Sequence, residues 1–295
     1  MKTPLFLGCG VALVTPFRDG EIDLPAFQLL IRRQLDAGTD ALIVCATTGE
    51  APTLRERERT ALIRSAVEEA AQQVPVIVGT GSNDTAHAVE LSRSAESLGA
   101  DGVLVVTPYY NKATQSGLIA HYLAIADAVH IPVIVYNVPS RTGISCTAET
   151  YARLSEHPNI IGVKEASGSF ALIQETRRLC PEDFLIWSGN DEDTAALMTL
   201  GGAGVISTAA NLIPADMREL THLALSGSLH KAGVLQLRMT NLLRALFCEV
   251  NPIPVKTALA RLGLCEEAFR LPLCSISPEH RQQLYAAMED YGIKS

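Results

Sequence analysis

A lysine ends the apolar run Asn159-Ile160-Ile161-Gly162-Val163-Lys164 in the segment NIIGVKEASG, which otherwise reads as a buried β-strand. Burying an ammonium without a partner is costly, so the position needs a reason. Desolvation favours the neutral amine, and a neutral amine attacks a carbonyl carbon to form a Schiff base. The competing explanation is a structural ion pair with Glu165 or with a loop carboxylate. Three further groups bear on the choice. Tyr136, in VYNVPSRTG, closes the fifth apolar run and is expected next but one along the rim from Lys164. A phenol there can carry protons while a carbinolamine forms and loses water, though the same ring would also pack a barrel mouth. Thr47-Thr48-Gly49, in CATTGE, offers two hydroxyls and successive backbone N–H groups, a nest for one carboxylate. Its plainer reading is a threonine-capped turn into a helix. Arg141 can hold a second carboxylate in a bidentate fork, or can simply be a solvated loop arginine.

The elements that must position these groups follow a repeating pattern. Eight short runs rich in β-branched residues recur: GVALVTPF, DALIVCATTG, VPVIVGTG, DGVLVVTPYY, IPVIVYNVP, IIGVKEASG, FLIWSGN and AGVISTAAN. Between them lie amphipathic stretches such as LRERERTALIRSAVEEAAQQV, with apolar residues at helical spacing. Strands alternating with helices in this way make parallel βαβ units, and strands apolar on both faces suit an α/β fold closed into a (β/α)8 TIM barrel. Polar and glycine-rich residues gather after each run, where the strand ends of a barrel form one rim. Beyond about residue 225 the strands stop. The expected division is a barrel over 1–225 and an added C-terminal helical region over 226–295, with NPIPVK opening one of its helices.

Composition limits the remaining choices. The chain has 295 residues, is 47% hydrophobic and 19% charged, and carries a net charge of −8. That balance supplies a large core and argues against a nucleic-acid partner. No run is apolar enough to cross a membrane. The apolar start, MKTPLFLGCGVALVTPF, reads as a first strand, because Pro4, Gly8 and Gly10 interrupt it. Seven cysteines without CxxC spacing read as reduced packing residues of a cytoplasmic protein. There is no HExxH, no metal-ligand cluster of histidines, no Walker A sequence and no strand-linked GxGxxG, so no metal or cofactor is expected.

The motifs VALVTPF, TTGE, GTG-N, TPYYNK, YNVPSRTG, IIGVKEASG, SGND, GVIS and NPIPVK resemble those of the dihydrodipicolinate synthase and N-acetylneuraminate lyase family of class I aldolases. The resemblance spans roughly residues 5–290, and TTGE, TPYYNK, YNVPSRTG and NPIPVK lie nearest the dihydrodipicolinate synthase branch. It implies an enzyme that condenses pyruvate, held as a lysine Schiff base, with L-aspartate 4-semialdehyde. Lys164 would carry the imine. Tyr136, Thr47 and Tyr110 would relay protons, with Tyr110 reaching in from a neighbouring subunit. Thr47 and Thr48 would hold the pyruvate carboxylate, Arg141 that of the aldehyde substrate, and the backbone of Gly189 and Ile206 would line the far side. A homotetramer built from tight dimers is also implied.

The sequence departs from the family pattern in two places. Ala46 stands where glycine commonly precedes TTGE. At the lysine effector site that the resemblance implies, matched here by Ala51, Glu56, Arg59, Asn83, His87 and Tyr109, Asn83 and Tyr109 fit. Glu56 and Arg59 replace polar or histidine groups, and His87 replaces an acid. Arg59 would repel or crowd a cationic effector, so weak or absent inhibition by lysine is expected. Other readings are a sugar-acid lyase on the same scaffold, a phosphate-sugar enzyme, and a small-molecule sensor that has lost catalysis. SGND and STAAN match a phosphate-binding turn poorly, and Lys164, Tyr136, Thr47 and Tyr110 are all retained.

Overall fold

A computed structural model describes residues 2–294. Eight parallel strands close into a barrel: β1 (Gly8–Ala12), β2 (Ala41–Val44), β3 (Val76–Gly79), β4 (Gly102–Val106), β5 (Val133–Asn137), β6 (Ile160–Glu165), β7 (Leu185–Ser188) and β8 (Gly204–Ser207). Each pairs with its neighbour in the chain, and β8 returns to β1. The outer layer is α1 (Leu24–Asp36), α2 (Glu56–Ala70), α3 (Thr85–Ser97), α4 (Gln115–Asp127), the short α5 (Pro139–Thr142), α6 (Ala148–Ser155), α7 (Phe170–Leu179), α8 (Thr194–Thr199) and α9 (Pro214–Leu225). Three further helices follow: α10 (Leu229–Ala245), α11 (Ile253–Arg261) and α12 (Pro278–Tyr291). Of these, α10 packs on α8 and α9, while α12 packs on α10 and α11. The eight apolar runs thus correspond to the eight barrel strands. A small antiparallel pair after β1, Phe17–Arg18 with Glu21–Ile22, is an addition that the runs did not signal. No helix among the described residues is long and apolar enough to cross a membrane.

Helix starts follow side-chain capping chemistry. Asp23, Asp84, Thr114, Thr147, Ser169 and Ser277 each accept a backbone N–H from the first turn they precede. Burial divides into two layers. One lies between strands and helices; the other fills the barrel with inward side chains such as Ile43, Ile77, Leu104, Ile134, Trp187 and Ile206.

The β5–β6 pairing is irregular. Val133 pairs with Ile160, but the next residue, Ile134, pairs with Gly162, so Ile161 is an extra residue in β6. Side chains alternate between faces along a strand, and one inserted residue inverts that alternation. Ile161 belongs to the barrel interior, Val163 to the outer layer, and Lys164 therefore points inward. Gly162 permits the close passage of β7 at the bulge: a Cβ built on it would sit 2.2 Å from Leu185 O and 2.9 Å from the Trp187 ring. The neighbour is backbone and cannot simply rotate away. Gly162→Ala is expected to lower unfolding stability by about 2 kcal/mol or more through forced displacement of β7. Denaturant titration checks this; an unchanged midpoint would show that β6 and β7 can yield there.

Candidate active site

Lys164 is only 4% exposed, and its Nζ lies 4.4 Å from the centroid of the Tyr136 ring. The two residues are direct partners across β5 and β6. This corrects the expectation that Tyr136 stands next but one along the rim: the two strands are adjacent and the residues level. The structure also removes the ion-pair explanation for Lys164. Glu165 faces the other side of the sheet, accepting from the Tyr151 hydroxyl at 2.8 Å, the Asn137 amide at 3.1 Å and the Ser167 N–H at 2.8 Å. Among the described residues no carboxylate forms an ion pair with Lys164. Gly189 makes room for the amine's stem, since a Cβ there would stand 3.2 Å from Lys164 Cε and 2.6 Å from Ala166 Cβ. Its N–H donates to Glu165 O at 2.7 Å. Ile206 lies on β8 within the interior layer.

The TTGE turn leaves β2 through Cys45, which adopts φ 53°, and ends at Glu50 with φ 54°. Non-glycine residues in the left-handed region are uncommon and must be held there by their surroundings. The bend at Cys45 is accommodated by Gly79 on β3, where a Cβ would lie 2.4 Å from Cys45 O. Within the turn, the Gly49 and Glu50 N–H groups close onto Ala46 O and Thr47 O at 3.0 Å each. The amides open to an anion are therefore narrower in number than the sequence TTG suggests. Thr47 is half-buried and lines the cleft. Thr48 is buried, shares a hydrogen bond of 3.3 Å with Thr208, and accepts from the Asn251 amide at 2.9 Å. Arg141 is exposed at the cleft rim and donates through Nη2 to Asn251 O at 3.2 Å. One asparagine from the C-terminal region thus joins the two groups read as carboxylate binders.

A second buried lysine holds the turn from below. Lys256, on α11 and without exposure, donates to Glu50 Oε1 at 2.7 Å and to Ala268 O at 2.6 Å. The Phe17 and Phe269 rings flank its Nζ at 4.4 and 5.0 Å. Burial pushes its ammonium downward from the usual lysine range, and Glu50 offsets part of that shift. Arg270 adds its N–H to Glu50 Oε2 at 3.3 Å and grips Glu58 with both terminal nitrogens at 2.6 and 2.8 Å. Asn251, Thr208, Asp191 and the Lys256–Glu50 pair carried no assigned role in the sequence reading. NPIPVK and SGND flag the segments, but the Thr48–Asn251 contact spans 203 positions and leaves no local trace.

Thr47, Tyr136 and Arg141 open onto a cleft of about 460 Å3. Its outer half is lined by Ala51, Glu56, Arg59, His87 and Tyr109, so five of the six effector-site positions share one space with the rim. Asn83 does not line it; its carbonyl accepts from the Asn111 amide at 2.8 Å. Arg59 reaches across to donate to Gly79 O at 2.5 Å, and His87 faces Glu90 at 3.7 Å. Tyr110 is not brought together with Lys164, Tyr136 and Thr47 within one chain. It stands 90% exposed on a backbone of φ 73°.

A closed parallel barrel that turns one buried, unpaired amine toward its mouth, beside a phenol and a threonine turn, defines a class of α/β barrel proteins suited to carbonyl chemistry. The chain belongs to the Dihydrodipicolinate synthetase family, whose profile matches residues 5–291. It is 51% identical over 289 residues to 4-hydroxy-tetrahydrodipicolinate synthase of Alkaliphilus oremlandii, covering 98% of this chain and 100% of that one. Dihydrodipicolinate synthase from Thermotoga maritima superposes with a TM-score of 0.97 at 44% identity, covering 99% and 100% of the two chains. The enzyme from Acinetobacter baumannii, solved in complex with pyruvate, superposes with a TM-score of 0.96 at 42% identity, covering 98% and 99%.

Removing one partner of the buried Lys256–Glu50 pair leaves an uncompensated charge. Lys256→Met is expected to cost about 3–5 kcal/mol, while Lys256→Met with Glu50→Gln recovers most of that loss. Chemical denaturation of the two variants decides it: equal losses would mean that the charge pairing is not what stabilises the turn.

Proposed function

We propose that the protein catalyses the 4-hydroxy-tetrahydrodipicolinate synthase reaction, condensing pyruvate with L-aspartate 4-semialdehyde on the route to diaminopimelate and lysine. The observation that carries this reading is the Lys164 amine, buried without an acidic partner and covered by the Tyr136 ring, in a chain of this family. The amine attacks C2 of pyruvate, and the carbinolamine loses water to leave an iminium ion. Loss of a proton from C3 gives the enamine. Its C3 attacks the aldehyde carbon of the second substrate, whose oxygen takes a proton. The substrate's own amine then adds to the imine carbon and displaces Lys164, closing the ring and freeing the lysine. The amine is thus regenerated without an external cofactor.

Tyr136 is level with the amine and is the nearest proton carrier for carbinolamine formation and dehydration. Thr47 continues the relay. Tyr110, strained and exposed in the single chain, is the third member only when it enters a neighbour's cleft, so the reading requires at least a dimer. We extend this to a homotetramer of tight dimers working in the cytoplasm. Thr47 and Thr48 serve the pyruvate carboxylate, the backbone of Gly189 and Ile206 lines the far side of the pocket, and Arg141 serves the carboxylate of the aldehyde. The barrel at 1–225 carries the chemistry, and the helical region at 226–295 braces its mouth through Asn251 and Lys256.

Incubation with pyruvate followed by borohydride should place a reduced adduct on Lys164, located by peptide mass spectrometry. Lys164→Arg should lose the adduct and reduce turnover by about 1,000-fold or more; an adduct elsewhere, or retained turnover, overturns the reading. At the outer cleft, Arg59 sets a guanidinium beside the acid Glu56, and His87 offers an imidazole where the family pattern has an acid for an effector's amine. L-lysine in excess over both substrates should therefore leave most of the turnover intact, and strong suppression in a coupled assay would contradict that.

A further inference from the structure

Asp191 takes no part in the scheme above, although it is the buried carboxylate nearest in effect to Lys164. It follows β7 in SGND and is 2% exposed. Its Oδ2 accepts from the Thr208 N–H at 3.1 Å and the Ala209 N–H at 2.9 Å, closing the turn that leaves β8. Its Oδ1 is buried without a hydrogen bond of good geometry, beside Ser207, whose Oγ accepts from the Ala210 N–H at 2.8 Å. From outside, Gln236 on α10 fixes the loop by donating to Asp191 O at 3.1 Å and accepting from the Ala195 N–H at 3.1 Å. The loop is thus braced on both sides, with a buried acid at its centre whose Oδ1 has only the Ser207 hydroxyl beside it. A purely structural cap would be served equally well by asparagine.

Two links run from this carboxylate to the site. The first is mechanical: the turn it closes carries Thr208, whose hydroxyl meets Thr48 at 3.3 Å, and Thr48 in turn receives Asn251. The second is electrostatic. Gly189, two residues before Asp191, touches the stem of Lys164. Burial raises the Asp191 carboxyl above its usual range, while Ser207, the two backbone N–H groups and the charge of Lys164 draw it back. The ionisable groups that act on its charge are Lys164 and the buried Cys9 thiol, while Lys164 itself has the Tyr136 ring over its amine.

We propose that Asp191 is a positioning residue for the Lys164 site: its ionised carboxylate fixes the turn that seats Thr208 against Thr48 and supplies the buried negative charge that a cationic imine at Lys164 needs. Buried and hydrogen-bonded to the turn that leaves β8, the carboxylate acts through Thr208 and through its field. This inference rests on the Schiff-base reading of Lys164.

Asp191→Asn preserves shape and can still accept the two N–H bonds, but removes the charge. Without that charge a cation at position 164 is less favoured, and the pH at which borohydride traps half of the pyruvate adduct should fall by about one unit. The KM for pyruvate should rise about tenfold, with that for the aldehyde substrate unchanged within about twofold. Thr208→Val, which breaks only the mechanical link, should raise the pyruvate KM without moving the trapping midpoint. If the wild-type protein is not trapped at Lys164, the Schiff-base reading itself fails. If it is trapped and the Asp191→Asn midpoint and pyruvate KM do not move, this inference fails alone. Should Asp191→Asn not fold, an unchanged pyruvate KM in Thr208→Val overturns the positioning role.

Discussion

One extra residue in β6 decides which way Lys164 points. In regular alternation Ile161 and Val163 would share a face and Lys164 would turn to the helices, where Glu165 now sits among Tyr151, Asn137 and Ser167. The bulge at Ile161 exchanges these fates. It places the amine under Tyr136 and the carboxylate outside, separating by one sheet thickness two charges that neighbour each other in sequence. The remainder of the site follows from that separation. On the proposed reading, an inward amine free of Glu165 is available to a carbonyl at the barrel mouth, whereas one paired to Glu165 would be held by it. Gly162 and Gly189 serve the same end by removing Cβ atoms where β7 and the lysine stem pass.

The mouth of the barrel is assembled from distant parts of the chain. TTGE bends out of β2 through left-handed residues at both ends, a conformation that must be enforced by neighbours. Those neighbours come from the C-terminal helices: Lys256 holds Glu50, and Asn251 ties Thr48 to Arg141. On the opposite side Gln236 holds the loop after β7. A barrel alone offers strand ends at one rim, but the hydroxyls and the guanidinium acquire fixed mutual positions only once these side chains are inserted. The added helices therefore act on the geometry of the site as well as packing into the outer core layer.

The barrel was legible because its strands are short apolar runs at regular spacing, and period and count together leave few closed arrangements. Lys164, Tyr136, Thr47 and Arg141 were legible because each ends or follows such a run. What sequence could not convey was facing. IIGVKE is apolar on both faces up to the lysine, so its pattern fits either orientation, and the bulge that chooses one is made by a register shift against β5. The position of Tyr136 is a matter of strand order instead: IPVIVYNVP and IIGVKEASG are consecutive runs, and consecutive strands of the barrel are neighbours. Asn251 and Asp191 went unassigned for a different reason: their effect lies in hydrogen bonds to turns far away in sequence, and nothing in NPIPVK or SGND names the partner.

The two buried lysines show how partner count separates support from chemistry. Lys256 has a carboxylate at 2.7 Å, a carbonyl at 2.6 Å and aromatic rings on two sides. Lys164, equally out of water, has one ring at 4.4 Å and a carboxylate that acts only through its field. Burial weighs against the Lys256 ammonium, and the fold answers it with a full set of contacts. The chain satisfies one completely and leaves the other short of partners at the end of a strand that opens toward a cleft. On the proposed reading, an amine held in that condition is the one left free to bond to carbon, and its lack of partners is what the chemistry uses.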